Sequence, residues 1–247
     1  MIKIEQLNKS FKDTKVLKDI SFEIKKGDYI AVMGPSGSGK STLLYSISGM
    51  DSISEGRVIF EDVNIIDLQE SELSKFRLTK MGFVFQNAQM LKNLSVFDNI
   101  TLPGLVAKKE PAEKIRRRAS ELMEQMEITE IKNRDIKEVS GGQLQRASIC
   151  RAMINNPEIL FMDEPTGALN SEATDQVLDI LEHLNHNGMT IMIVTHDQRV
   201  AARAKKVLYM RDGQLAACKE FETRDNRVIE LDNWLKGLQF LEANAEL

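Results

Sequence analysis

Cysteine is scarce in this chain: only Cys150 and Cys218 occur in 247 residues, far apart and without metal-site spacing. That argues against a disulfide framework and a cysteine-built zinc centre, and it predicts a reducing compartment with both thiols free. Long apolar runs are missing too. No stretch approaches the roughly 18 residues of a membrane-spanning helix. The opening "MIKIEQLNKSF" lacks the apolar region of a signal peptide. The expectation is a cytoplasmic chain that reaches a membrane only through an integral partner. Positive charge is not in excess, since the formal net charge is −4, which argues against bulk nucleic-acid binding. The chain shows neither repeats nor low-complexity segments. What is there is 42% apolar and 28% charged residues, enough for one large α/β domain or a domain with a sizeable insertion.

Five short apolar runs with β-branched or aromatic residues read as buried strands: "YIAVMG" from Tyr29, "MGFVFQ" from Met81, "EILFMDEP" from Glu158, "TIMIVTH" from Thr190 and "KVLYMRDG" from Lys206. Helical patterns separate several of them, so the fold class is α/β with a largely parallel sheet. Four of the five runs end in a polar feature: the loop "GPSGSGKS", Gln86, Asp163-Glu164 and His196. Parallel sheets bind ligands at the carboxyl ends of their strands, so these four features predict one site. After Asn170, Val177, Leu178, Leu181 and Leu184 share a helical face. Ser171 or Thr174 is a candidate cap there, and Gly188 a candidate stop. Residues 1–86 and 157–219 read as one core whose opening, up to Asp28, is a small antiparallel sheet. Residues 87–156 read as a helical insertion. Residues 220–247 form an extension in which Trp234, Leu235, Leu238 and Leu241 have helical spacing.

"GPSGSGKS", Gly34 to Ser41, fits G-x-x-x-x-G-K-[ST] between a strand and a helix. Gly34, Pro35, Ser36, Gly37, Ser38 and Gly39 would wrap backbone N–H groups around phosphate oxygens, aided by the following helix N-terminus. Lys40 would reach the β- and γ-phosphates, and Ser41, with Thr42 beside it, would sit on Mg²⁺. The motif alone does not separate ATPases from GTPases or small kinases. Asp163 ends an apolar strand and is a candidate Mg²⁺ ligand. Glu164, the next residue, is a candidate base for an attacking water. A helix-capping acidic pair is the bland alternative. His196 is placed to reach a γ-phosphate and Gln86 to bridge metal and water, although each residue is as readily structural.

A second glycine corner, "VSGGQLQR" from Val139 to Arg146, follows about 100 residues later. With the loop, Gln86, DEP and His196 in that order, it resembles the nucleotide-binding subunit of ATP-binding-cassette (ABC) transporters over residues 1 to 218. The resemblance implies a RecA-like phosphate-loop core and a head-to-tail dimer. ATP bound by one copy would be completed by Ser140, Gly141, Gly142 and Gln143 of the other. It also implies adenine stacking by Phe11, for which core packing is the alternative. Two departures stand out: Val139 where leucine is usual, and Asn170 ending the D-loop Ala168-Leu169-Asn170 where aspartate is usual. The stretches "SGMDSISEG", "KMGFVFQNAQMLKNLSVFDNITLP" and "DEPTGALNS" resemble the group serving lipoprotein release, macrolide export and bacitracin-type peptide resistance. That group works at the cytoplasmic face of the membrane with permeases of few helices and a large extracellular region. A division-linked relative with a similar permease and a soluble, non-transport ABC ATPase are the alternatives. Leu91, Leu94, Val96 and Phe97 are candidates for the permease surface, with packing inside the insertion as the alternative. The cluster "KIRRR", Lys114 to Arg118, reads as a solvated helix face rather than a lipid contact.

Overall fold

The five apolar runs form five adjacent parallel strands. In a computed structural model, which describes residues 1–223 and 225–245 (side chains through 238), they are β3 (Tyr29–Met33), β6 (Met81–Phe85), β7 (Ile159–Asp163), β8 (Thr190–Val194) and β9 (Lys206–Arg211). With an antiparallel edge strand, β10 (Gln214–Glu220), their order is β10-β9-β3-β8-β7-β6. β3, β7 and β8 are buried almost throughout, as expected for parallel strands covered on both faces. Alternation along each strand divides the core. Ile30, Val32, Phe161, Met192 and Val194 face one apolar cluster. Ala31, Met33, Leu160, Met162, Ile191 and Ile193 face the other.

The first cluster is closed by α1 (Lys40–Ile47) and by an antiparallel sheet of β2 (Thr14–Ile24), β1 (Ile2–Phe11), β4 (Glu55–Phe60) and β5 (Val63–Asn64), in that order. α2 (Glu70–Lys80) leads into β6. The second cluster is closed by α3 (Val96–Ala107), α4 (Ala112–Gln125), α5 (Gly141–Met153), α6 (Ser171–His186) and the short α7 (Gln198–Ala201). The helical stretch therefore shares one continuous core with the parallel sheet.

Two sequence expectations change here. Val96 and Phe97 are 0% and 7% exposed inside the second cluster, so they serve packing; among the four apolar candidates only Leu91 is exposed, at 51%, with Leu94 half-buried. The cap of α6 is Asn170, not Ser171 or Thr174. Asn170 keeps an extended backbone while its side chain accepts the Ala173 N–H at 2.9 Å, and Ser171 is already helical. Gly188, with φ +92°, follows the helix end as expected. The extension docks on its own chain: Leu231 and Leu235 of α8 (Arg227–Ala245) are buried, and Trp234 meets Tyr209 edge-on at 6.3 Å. The Leu241 side chain lies outside the described residues. In the basic cluster, Ile115 is buried, Lys114 pairs with Glu110, and Arg118 binds both Glu110 and the Ile154 carbonyl. The solvated-face reading holds for Arg116 and Arg117.

Candidate active site

The strand order places the four polar features side by side. The loop follows β3, His196 follows β8, Asp163 and Glu164 close β7, and Gln86 follows β6; these strands are neighbours in the order β3-β8-β7-β6. One carboxyl edge thus carries every chemical group the sequence singled out at strand ends.

The loop's shape comes from its glycines. Gly34, Gly37 and Gly39 have φ of +147°, +79° and +98°, a region costly for residues bearing a Cβ. Gly34 is also pressed against β9, where an added Cβ would lie 2.1 Å from the Met210 carbonyl oxygen. At Gly39 it would meet the Leu17 side chain at 3.0 Å, so the β1–β2 hairpin abuts the loop. α1 begins with no side-chain cap and no acidic residue in its first turn. Its N–H groups stay open to an anion. The Ser38 hydroxyl is buried within the loop and has no hydrogen-bond partner among the described residues. Lys40 Nζ folds back to donate to the Gly34 and Pro35 carbonyls at 2.9 and 2.8 Å. Burial lowers its pKa, opposed by the nearby charges of Glu164 and Asp163.

Asp163 accepts from two hydroxyls: Ser41 Oγ donates to Oδ1 at 2.9 Å and Tyr45 Oη to Oδ2 at 2.7 Å. Burial raises the Tyr45 phenol's pKa, and its bond to Asp163 raises it further. Glu164 holds a left-handed backbone, φ +49°, uncommon for a non-glycine residue. Its N–H binds the Val194 carbonyl at 2.9 Å, and its Oε1 lies 2.8 Å from His196 Nδ1. Gln86 is exposed and lies over Gly167, where an added Cβ would approach its Nε2 to 2.8 Å. Phe11 is 49% exposed at the hairpin end, with Lys9 Nζ 4.5 Å from its ring centroid. An aromatic face outside the core suits stacking better than packing.

Ser140, Gly141, Gly142 and Gln143 lie elsewhere. They open α5 and line a cleft of ≈ 400 Å³ with Arg146, Ala168, Leu169, Asn170, Glu172, Ala173 and Gln176. No loop residue from 34 to 42 lines that cleft. Ser140 and Gln143 cap one another reciprocally, and the Gln143 amide also donates to Glu130 at 2.9 Å. Residues 168–170, the D-loop expected from the sequence, line the same cleft. Tyr45 and Arg146 went unremarked in the sequence. The signal for Tyr45 was its place one helical turn beyond Ser41, on the same face.

The donor set fits Mg²⁺. Ser41 and Asp163 offer hard oxygens, and among the described residues no group of three or more His, Cys, Asp or Glu side chains cages an ion alone. Mg²⁺ typically keeps waters and combines one or two carboxylates with substrate phosphate oxygens.

The sequence profile of the ABC transporter family matches residues 17–167, well over half the chain. The chain belongs to the ABC transporter family. Its curated relatives include the macrolide export ATP-binding/permease protein MacB of Campylobacter jejuni, 38% identical over 93% of this chain and 36% of that protein. This chain thus spans about a third of the MacB relatives it matches. The lipoprotein-releasing system ATP-binding protein LolD of Leptospira interrogans is 38% identical over 90% of this chain and 93% of its own length. Among solved structures, a dimeric ATP-binding cassette in a post-hydrolysis state, bound to ADP and Pi, superposes with a TM-score of 0.84 at 35% identity. That match covers 90% of this chain and all of that one. The cassette fold expected from the sequence is thus the fold observed. Among the described residues no helix is long and apolar enough to cross a membrane.

Proposed function

We propose that this ABC cassette hydrolyses ATP and works as a pair with a second ATPase subunit, identical or related. The carrying observation is the separation of its two glycine corners. The loop at Gly34–Ser41 sits at the sheet edge with Asp163, Glu164, Gln86 and His196. The corner at Ser140–Gln143 lines a cleft that this chain's own loop does not enter. A half-site of that kind gains a purpose when another copy brings its nucleotide to it. The dimeric, ADP- and Pi-bound cassette of similar fold supports the pairing.

In this reading the loop amides and Lys40 hold the β- and γ-phosphates, and Phe11 stacks on the adenine. Ser41, Asp163 and Gln86 hold Mg²⁺, which when bound neutralises phosphate charge. Glu164 takes a proton from the attacking water, and His196, hydrogen-bonded to Glu164, steadies it beside the γ-phosphate. The names MacB and LolD support an integral permease as partner, and in this reading the chain works peripherally at the cytoplasmic face. We assign that permease to the large-ectodomain type serving drug or antimicrobial-peptide export and resistance or lipoprotein release. In this reading residues 1–86 with 157–219 form the ATP-binding core, 87–156 the inserted helical subdomain that carries Ser140–Gln143, and 220–247 the C-terminal extension.

The test is Glu164→Gln. Steady-state ATPase activity should fall by about 10²–10⁴-fold, while ATP with Mg²⁺ should now give a stable dimer by light scattering. Full activity together with no ATP-dependent dimer would overturn the assignment. Copurification from membranes with a large-ectodomain permease tests the partner class.

A further inference from the structure

We infer that Tyr45 is a positioning residue for Asp163: its phenol fixes the carboxylate that, in the function proposed above, serves Mg²⁺. Tyr45 lies four residues after Ser41 on α1, so the two hydroxyls stand one turn apart on one helix face. They occupy the two Asp163 oxygens separately, Ser41 at 2.9 Å on Oδ1 and Tyr45 at 2.7 Å on Oδ2. Ser41 belongs to the phosphate loop. Tyr45 therefore supplies the one side-chain bond to Asp163, among the hydrogen bonds of the described residues, that comes from outside the loop. It is itself well anchored. Its carbonyl accepts from Met50 and Asp51 at 2.9 and 3.1 Å, and its ring lies 6.4 Å from that of Phe85, the residue before Gln86. One side chain of the loop helix thus binds the carboxylate and lies beside the strand that delivers Gln86.

A carboxylate at a strand end can rotate about its terminal torsion, which is broad. A phenol donating to the oxygen not used by Ser41 removes that freedom before any ion arrives. Hydrogen-bond partners one shell out from a metal ligand typically change metal affinity by about 10–100-fold when removed. The competing explanation is that Tyr45 only fills space between α1 and β6, and phenylalanine would fill it equally.

The experiment uses the full chain with Glu164→Gln, so that turnover is blocked, and titrates Mg²⁺ against binding of a fluorescent ATP analogue. Tyr45→Phe should raise the half-saturating Mg²⁺ concentration about 10–100-fold and leave analogue affinity in EDTA unchanged. An unaltered Mg²⁺ requirement, or an equal loss with and without metal, overturns the inference. A double-mutant cycle with Asp163→Ala guards against a folding artefact. If Tyr45 acts through Asp163, its substitution adds nothing further to metal affinity in that background; an additive effect also overturns it. Nucleotide binding by the Glu164→Gln chain that ignores Mg²⁺ altogether would overturn the metal assignment itself.

Discussion

The two glycine corners of this molecule look alike in sequence and differ in physics. Each opens a helix, α1 in one case and α5 in the other. At the first corner Gly34, Gly37 and Gly39 all have positive φ, and the helix that follows has no side-chain cap. At the second, Gly141 and Gly142 have no positive φ, and Ser140 with Gln143 caps the helix from both sides. There the glycines make space: a Cβ on Gly142 would sit 2.9 Å from that of Ala173, and one on Gly141 would reach only Leu169, at 3.6 Å. The first corner uses glycine for backbone shape and leaves the uncapped start of α1 open to a ligand inside the chain. The second has ordinary helical geometry and a bare surface. That surface suits a ligand carried by something else.

The contrast is broken most forcefully at Gly34. Gly34→Ala combines a φ of +147° with a Cβ 2.1 Å from the Met210 carbonyl oxygen. Strain of about 1–3 kcal/mol and overpacking of similar size should add. Urea denaturation should show a loss of about 3 kcal/mol or more, and ATP binding to the single chain should disappear. Gly142→Ala should behave differently. Alanine suits a helix better than glycine by about 0.5–1 kcal/mol, but Ala173 must yield, at about 1–3 kcal/mol. The net stability loss should lie within about 0–2.5 kcal/mol, with ATP binding to the single chain intact and the ATP-dependent dimer weakened. If Gly142→Ala abolished nucleotide binding by the isolated chain, the two corners would belong to one intramolecular site.

Much of this is legible in the sequence, for physical reasons. Parallel strands buried on both faces leave continuous apolar runs, so all five were visible, and the polar residues ending them marked the sheet edge. The division of labour between the glycine corners was less visible. The letters "GG" do not say whether glycine is needed for φ or for space; that depends on Ala173 and Leu169, which lie outside the motif. Val96 and Phe97 misled because an apolar residue in an insertion can turn inward or outward, and α3 turns these two inward. Asn170 escaped as a helix cap because Ser171 and Thr174 offered equally good capping chemistry nearby. Tyr45 escaped because a tyrosine in an apolar helix usually packs, and its bond to Asp163 spans two elements.

Two smaller changes sharpen the comparison. Ser140→Ala removes the hydroxyl that accepts the Gln143 N–H at 3.3 Å and should cost about 1 kcal/mol in a thermal or urea melt, the usual loss for an N-cap. It should also weaken the dimer without touching single-chain ATP affinity, as Gly142→Ala does by another route.

Asn170→Asp should move stability least. Asparagine and aspartate cap helices about equally, and the added charge sits at the N-terminus of α6, where the helix dipole favours it by about 0.3–1 kcal/mol. Glu172 already occupies that first turn and takes back part of the gain, so the net change should stay within about 0.5 kcal/mol. The interest lies in the rate. Asn170 is exposed and lines the same cleft as Ser140–Gln143, so an added charge there would be felt by whatever enters the cleft while the loop at Gly34 remains untouched. A surface charge worth up to about 1 kcal/mol corresponds to a change of about fivefold at most in steady-state ATPase rate, with activity retained. A rate identical to that of the parent chain would leave Asn170 as a helix cap and nothing more.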